Sequence, residues 1–345
     1  MSGVPAAVNT EVPRAAPASD AAVWARGLTK RFGPVLALDH VTFEVARGEL
    51  FGFIGPDGGG KTTLFRLLVS LYTPDEGESR VLGLDPVADL WALRRQVGYM
   101  PGRFSLYPDL TVLENLTFYA SVFGTTIERE MATIEPIWRQ LAPFTGRRAA
   151  ALSGGMKQKL ALCCALVHAP SILFLDEPTT GVDAVSRKEF WDLLGRLRAG
   201  GLTILVSTPY MDEASRCDRV ALVQRGRILR IDTPAAVSAA YPRPLLAVRG
   251  GDRLGMLAAL RAHPHAASVW PFGATLHFTD DRADAVPATL ATELTAWLAA
   301  KQLHAEVSPI EASIEDAFIY DMGAEAEAGR GAGAEAGRKA GAGAS

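Results

Sequence analysis

Residues 55–62 read Gly55-Pro56-Asp57-Gly58-Gly59-Gly60-Lys61-Thr62, followed by Thr63, and fit the pattern G-x-x-x-x-G-K-[ST]. The apolar run ELFGFIG (49–55) precedes it and TLFRLLVSLY (63–72) follows, with Leu64, Leu67, Leu68 and Leu71 on one helical face. The pattern therefore sits between a strand and a helix, the context that gives it meaning. Glycines let successive backbone N–H groups converge on phosphate oxygens, and the helix N-terminus adds partial positive charge. Lys61 is placed to bridge a β- and a γ-phosphate, and Thr62 to ligate Mg²⁺.

Working outward, strands and helices alternate. QVGYM (96–100), SILFLD (171–176) and LTILVS (202–207) are short apolar runs of the kind buried on both faces of a parallel sheet. EFWDLLGRLRAG (189–200) reads as a helix closed by glycine. Between them, from about 103 to 165, lies a mostly helical insert, where Thr111 and Glu114 form a capping-box pair. The fold class is thus α/β: a P-loop domain over 22–240 with a helical insert. After it, residues 243–322 read β-α-β-β-α-β with a closing helix SIEDAFIYDM, which suggests a small α+β, ferredoxin-like accessory domain. Residues 1–21, rich in Ala and Pro, and 323–345, rich in Gly and Ala, are expected to be flexible segments.

The bulk properties set limits. The chain has 345 residues, enough for two cores, and a net charge of −3, which argues against general nucleic-acid affinity. Its three cysteines make no disulfide framework; Cys163 and Cys164 read as core residues of a helix. No run approaches the roughly 18 apolar residues of a membrane-spanning helix, and the N-terminus lacks the pattern of a secretion signal. The expected location is cytoplasmic, with any membrane attachment supplied by another chain.

Two further clusters carry chemistry. The strand ILFLD ends in Asp176-Glu177: Asp176 is placed to hold Mg²⁺, and Glu177 to position or deprotonate an attacking water. Ser153-Gly154-Gly155, before the CC helix, is a second anion-binding device; alone it would read as a helix N-cap. One glycine loop needs one cradle, so a second suggests that two chains meet across the nucleotide.

Together these stretches resemble the ATP-binding subunit of an ABC transporter, over about 23–234. GPDGGGKTT resembles the family's P-loop, LSGGM its signature motif, FLDEP its magnesium strand, and TTGVDAVSR its dimer-facing loop, with Asp183 the matching acid. Phe32, in KRFG, matches the aromatic that stacks on adenine. RFSLYPDLTVLENL, LSGGMKQKLAL and YMDEASRCDRVAL are similar to ATPases of ABC-2 type drug and antibiotic exporters. The resemblance implies ATP and Mg²⁺ as cofactors, an integral membrane permease subunit as partner, a second ATP-binding domain, and a position on the inner face of the membrane. Phe104, Leu106 and Tyr107 are expected docking contacts.

The chain also departs from the family. Pro209 stands where a histidine normally contacts the γ-phosphate, Gly102 where a glutamine touches Mg²⁺ and the attacking water, and Asp57 where asparagine is common. Losing one transition-state donor costs about 10²–10³ in rate. The expected behaviour is firm MgATP binding with slow hydrolysis at this chain's own P-loop. Because Ser153, Gly155 and Asp183 are retained, an unlike ATPase partner is favoured over a homodimer. The rival is a regulatory nucleotide switch without useful hydrolysis.

Overall fold

The computed structural model describes residues 21–102 and 105–323. The two expected flexible ends lie outside the described residues but for Ala21 and Gly323, as does Phe104. Ala21, assigned from sequence to the first flexible segment, instead begins a strand.

Contacts divide the described residues into two compact units: 21–51, 60–102, 105–207 and 225–227 in one, and 52–59, 208–224 and 228–323 in the other. In the first, β1 (Ala21–Phe32) and β2 (Val35–Ala46) pair antiparallel. β3 (Leu50–Ile54), buried at every residue, leads into the glycine loop and α1 (Lys61–Leu68). Helix α1 ends earlier than its apolar pattern suggests. Val69 caps it, Ser70 turns with φ 63°, and Leu71 is left exposed rather than on the buried face. β4 (Glu76–Val81) returns to pair with β1, giving a three-stranded antiparallel sheet ordered β2-β1-β4 that the sequence reading did not foresee.

Helix α2 (Leu90–Arg94) precedes β5 (Val97–Met100). The insert holds α3 (Val112–Val122), α4 (Met131–Leu141) and α5 (Gly154–Leu166). The Thr111–Glu114 capping box forms with both of its reciprocal bonds. Cys163 and Cys164 are buried in α5, where burial pushes both thiols well up. Leu106, expected as a docking contact, is buried; Tyr107 is half-exposed, its ring edge-on to Phe118 at 4.8 Å. β6 (Ile172–Asp176), α6 (Ala184–Ala199) and β7 (Thr203–Thr208) follow. β5, β6 and β7 are parallel neighbours, the arrangement expected of their continuous apolar runs. β8 (Arg219–Gln224) and all of β9 (Arg227–Asp232) but Arg227 belong to the second unit. Among the described residues, no helix is long and apolar enough to cross a membrane.

The second unit continues through α7 (Pro234–Ala239) into β10 (Leu245–Gly250), α8 (Arg253–Arg261), β11 (Ala266–Phe272), β12 (Thr275–Asp280), α9 (Pro287–Ala300) and β13 (Ala305–Pro309). These strands form an antiparallel sheet ordered β11-β12-β10-β13, so each β-α-β connection skips one strand. Alternation along the strands sends Leu246, Val248, Leu276 and Phe278 into one core with Leu260, Leu294 and Leu298 of the helices. A last helix, 314–323, starts at Ser313, whose backbone N–H donates to Asp316 at 2.9 Å. Arg230 on β9 holds that helix through a two-pronged pair with Asp321, at 2.9 and 3.0 Å.

Phe278→Ala should destabilise the C-terminal sheet by about 3–5 kcal/mol, the usual range for a buried phenylalanine. Hydrogen exchange should then show faster exchange in β10 and β12 with β6 unchanged.

Candidate nucleotide-binding site

The loop after β3 is shaped by close backbone approach. A Cβ on Gly55 would lie 2.0 Å from the Val223 carbonyl oxygen, a distance only glycine avoids. The Gly55 N–H donates to the Thr208 carbonyl at 3.2 Å, and the Gly59 N–H to the Pro56 carbonyl at 3.1 Å. Gly60 caps α1 with φ 101°, and a side chain there would also strike the Ala37 carbonyl at 2.6 Å. Pro56, Asp57 and Gly58 are exposed, so water surrounds the Asp57 carboxylate and weakens its repulsion of a phosphate.

Helix α1 then delivers two side chains to the end of β6. Lys61, only 3% exposed, places Nζ 3.9 Å from Glu177 Oε1. The Thr62 hydroxyl donates to Asp176 Oδ1 at 3.1 Å, and Thr63 follows, half-buried, on the same turn. Asp176 Oδ1 also accepts from the Ser207 hydroxyl at 2.5 Å. Burial, and then the nearby Asp176 charge, push the Tyr99 phenol up to about 12.

Glu177 leaves the strand with φ 49°, a left-handed conformation that costs a side-chain-bearing residue roughly 1–2 kcal/mol. Its N–H donates to the Ser207 carbonyl at 3.0 Å and lies 3.1 Å from the Ser207 hydroxyl; the Thr180 hydroxyl donates to its carboxylate at 3.4 Å. Strain of this kind persists where surrounding contacts over-determine a residue, often at functional sites. Ser207 thus fixes both acids. The sequence reading missed it; its signal is a hydroxyl ending an apolar buried strand.

The two departures occupy defined places. A Cβ on Gly102 would meet the Asp176 carbonyl oxygen at 3.1 Å and Glu177 Cβ at 3.7 Å, so position 102 abuts the paired acids and offers them no side chain. Pro209 follows β7 directly. Its turn is held by neighbours: the Thr208 hydroxyl donates to the buried Glu213 carboxylate at 2.5 Å and accepts the Tyr210 N–H at 3.1 Å. That turn asks no N–H of residue 209, so proline fits.

A second group forms where α5 and α6 begin. Ser153 caps α5, its hydroxyl accepting the Met156 N–H at 3.3 Å, and Gly154 and Gly155 open the helix. A Cβ on Gly154 would touch the Gly181 carbonyl at 3.4 Å. Asp183 caps α6, accepting from the Val185 and Ser186 N–H groups at 3.1 and 3.0 Å. The Ser186 N–H and hydroxyl, with help from Val185, hold its carboxyl below the usual range. Phe32, 43% exposed at the end of β1, stands edge-on to Tyr72 at 5.5 Å.

A glycine loop into a helix whose first lysine and threonine meet an Asp-Glu strand end defines a P-loop nucleotide-binding cassette. Residues 38–180 match the ABC transporter family. The chain is 45% identical over 217 residues to the probable multidrug ABC transporter ATP-binding protein YbhF of Escherichia coli (strain K12), covering 61% of this chain and 37% of that protein. It is 35% identical over 264 residues to Nod factor export ATP-binding protein I of Mesorhizobium japonicum, covering 75% of this chain and 77% of the relative. A solved dimeric ATP-binding cassette bound to ADP and Pi is 26% identical with TM-score 0.55, covering 61% of this chain and 98% of that one. The chain belongs to the ATP-binding proteins of ABC transporters. It spans little more than a third of YbhF.

Ser207→Ala removes a buried donor from Asp176 and should cost about 1–3 kcal/mol of stability, read as a lower urea midpoint.

Proposed function

We propose that this chain is the ATP-binding and ATP-hydrolysing subunit of an ABC-2 type exporter, working slowly at its own P-loop. The observation that carries the reading is the convergence of Lys61, Thr62, Asp176 and Glu177 at one point. Lys61 and the loop N–H groups would hold the β- and γ-phosphates. The Thr62 and Asp176 oxygens, 3.1 Å apart, suit a hard divalent ion, so these two residues would hold Mg²⁺, which offsets charge on the transferred phosphoryl group. Glu177 would orient the attacking water, and Phe32 would stack on adenine.

In this reading Ser153, Gly154, Gly155 and Asp183 face the nucleotide of a second ATP-binding domain, as the placing of the first three at the start of α5 and of the acid at the cap of α6 allows. The dimeric form of the ADP- and Pi-bound relative supports pairing. An unlike partner is favoured because Gly102 and Pro209 weaken only this chain's own site. The names of the multidrug and Nod factor relatives support export. Residues 22–240 act as the cassette and 243–322 as a ferredoxin-like accessory domain.

The permease on the membrane's inner face would seat against a groove of about 750 Å³ lined by Trp91, Tyr119, Val122 and Phe123. Trp91 and Val122 are among the most exposed large apolar residues, at 70% and 61%. The regulatory-switch reading draws on Gly102, which leaves the acids without a side-chain partner from that position.

Lys61→Ala should abolish measurable nucleotide binding, while Glu177→Gln should keep it and stop hydrolysis, both read by titration and phosphate release. Restoring both polar groups, Gly102→Gln with Pro209→His, should raise single-turnover hydrolysis at least about tenfold, a conservative share of what one such donor supplies. An unchanged rate rejects the slow-site assignment, and unaltered transport by Glu177→Gln in the intact complex favours the switch.

A further inference from the structure

The C-terminal sheet has a second face. Opposite the core formed with α8 and α9, its strands present Ser268, His277 and Thr279. The helix 314–323 meets this face through His277, whose Nδ1 lies 2.8 Å from Asp316. Beside the helix is a cavity of about 360 Å³, at the small end of the ~300–1,000 Å³ range of organic-ligand pockets. It lies wholly within the second unit and shares no residue with the nucleotide loop.

The charges around it are unequally committed. Asp316 is fully engaged: His277 takes one oxygen, and the Ser313 N–H and hydroxyl donate to the other at 2.9 and 2.6 Å. The Thr279 hydroxyl accepts from Ser268 at 3.0 Å and shares a hydrogen bond with the Tyr241 hydroxyl at 2.7 Å. Arg243 lines the same cavity, and among the described residues no hydrogen bond or ion pair engages its guanidinium. It stands between Pro242 and Pro244, which restrict its backbone and lower the cost of ordering it. Two rings complete the wall: Tyr320, and Trp270 at 44% exposure.

We propose that this cavity binds a small aromatic monocarboxylate, with the carboxylate on the Arg243 guanidinium and the ring against Trp270 and Tyr320. The planar guanidinium fork matches a carboxylate with two parallel hydrogen bonds. Ring faces and edges accept a planar body with little loss of side-chain freedom. One uncommitted cation balances one negative charge. The Asp316 carboxylate under the same wall opposes a second, which disfavours a phosphate dianion. The site is independent of the nucleotide reading.

The test is calorimetric and tryptophan-fluorescence titration of the full-length chain with 2-naphthoate, without nucleotide. Saturable one-to-one binding is expected, weakened at least about tenfold by Arg243→Gln, which is 1.4 kcal/mol. Trp270→Leu, at a half-exposed ring, should weaken it too, and Lys61→Ala should leave it unchanged. The neutral isostere 2-naphthol should bind at least about tenfold less tightly. Absence of saturation, equal affinity in both the Arg243→Gln and Trp270→Leu proteins, equal binding of 2-naphthol, or equal competition by inorganic phosphate would each overturn the proposal.

Discussion

The arrangement of the cassette turns on one oxygen atom. Asp176 Oδ1 receives hydroxyl protons from Thr62 on α1 and from Ser207 on β7. It thereby joins a helix start to two parallel strand ends. A carboxylate at 2% exposure is costly without such partners, since burial strips its oxygens of water. Two hydroxyls on one oxygen meet that need and at the same time fix the side chain. Glu177 inherits the arrangement: its N–H is bound to the same Ser207, so its left-handed turn and its approach to Lys61 follow from how Asp176 is anchored. Position 102 abuts the backbone carbonyl of Asp176 at 3.1 Å, so a side chain there reaches the paired acids once that carbonyl gives by a few tenths of an ångström.

Much of this was legible in the residues. The strand-loop-helix context of 49–72, the buried runs ending at Asp176 and Ser207, and the caps Thr111, Ser153 and Asp183 announce themselves through periodicity and short-range chemistry. The β2-β1-β4 sheet did not. β4 reads EGESRV, with few residues that favour strands, and β1 pairs with β2 through several register shifts that break strict alternation. Long-range pairing overrides weak local preference there. The apolar pattern runs past the end of helix α1 because its leucines continue in phase beyond Leu68, while the left-handed Ser70 ends the helix regardless. The role of Ser207 was invisible because it depends on which strands become neighbours, a property of the sheet order and not of any window of sequence.

The two units obey different rules of burial. Where β5, β6 and β7 run parallel, both faces are covered and the strands are almost wholly apolar. The C-terminal sheet alternates, with leucine and phenylalanine toward α8 and α9 and hydroxyls and histidine on the other side. Polar groups on that second face are tolerated because they bond one another or their neighbours: His277 to Asp316, and Thr279 to Ser268 and Tyr241.

The pair between Arg230 and Asp321 closes the intervening chain into a ring. Its members are 91 positions apart in sequence, yet both carboxylate oxygens are engaged. Closing so long a loop carries an entropic penalty that grows only logarithmically with its length, so this loop costs only about 0.6 kcal/mol more than one half as long. The tether is therefore thermodynamically inexpensive for the folded chain. A chain ending before residue 321 would leave the β9 guanidinium without its carboxylate and free the last helix to fray from its C-terminal end.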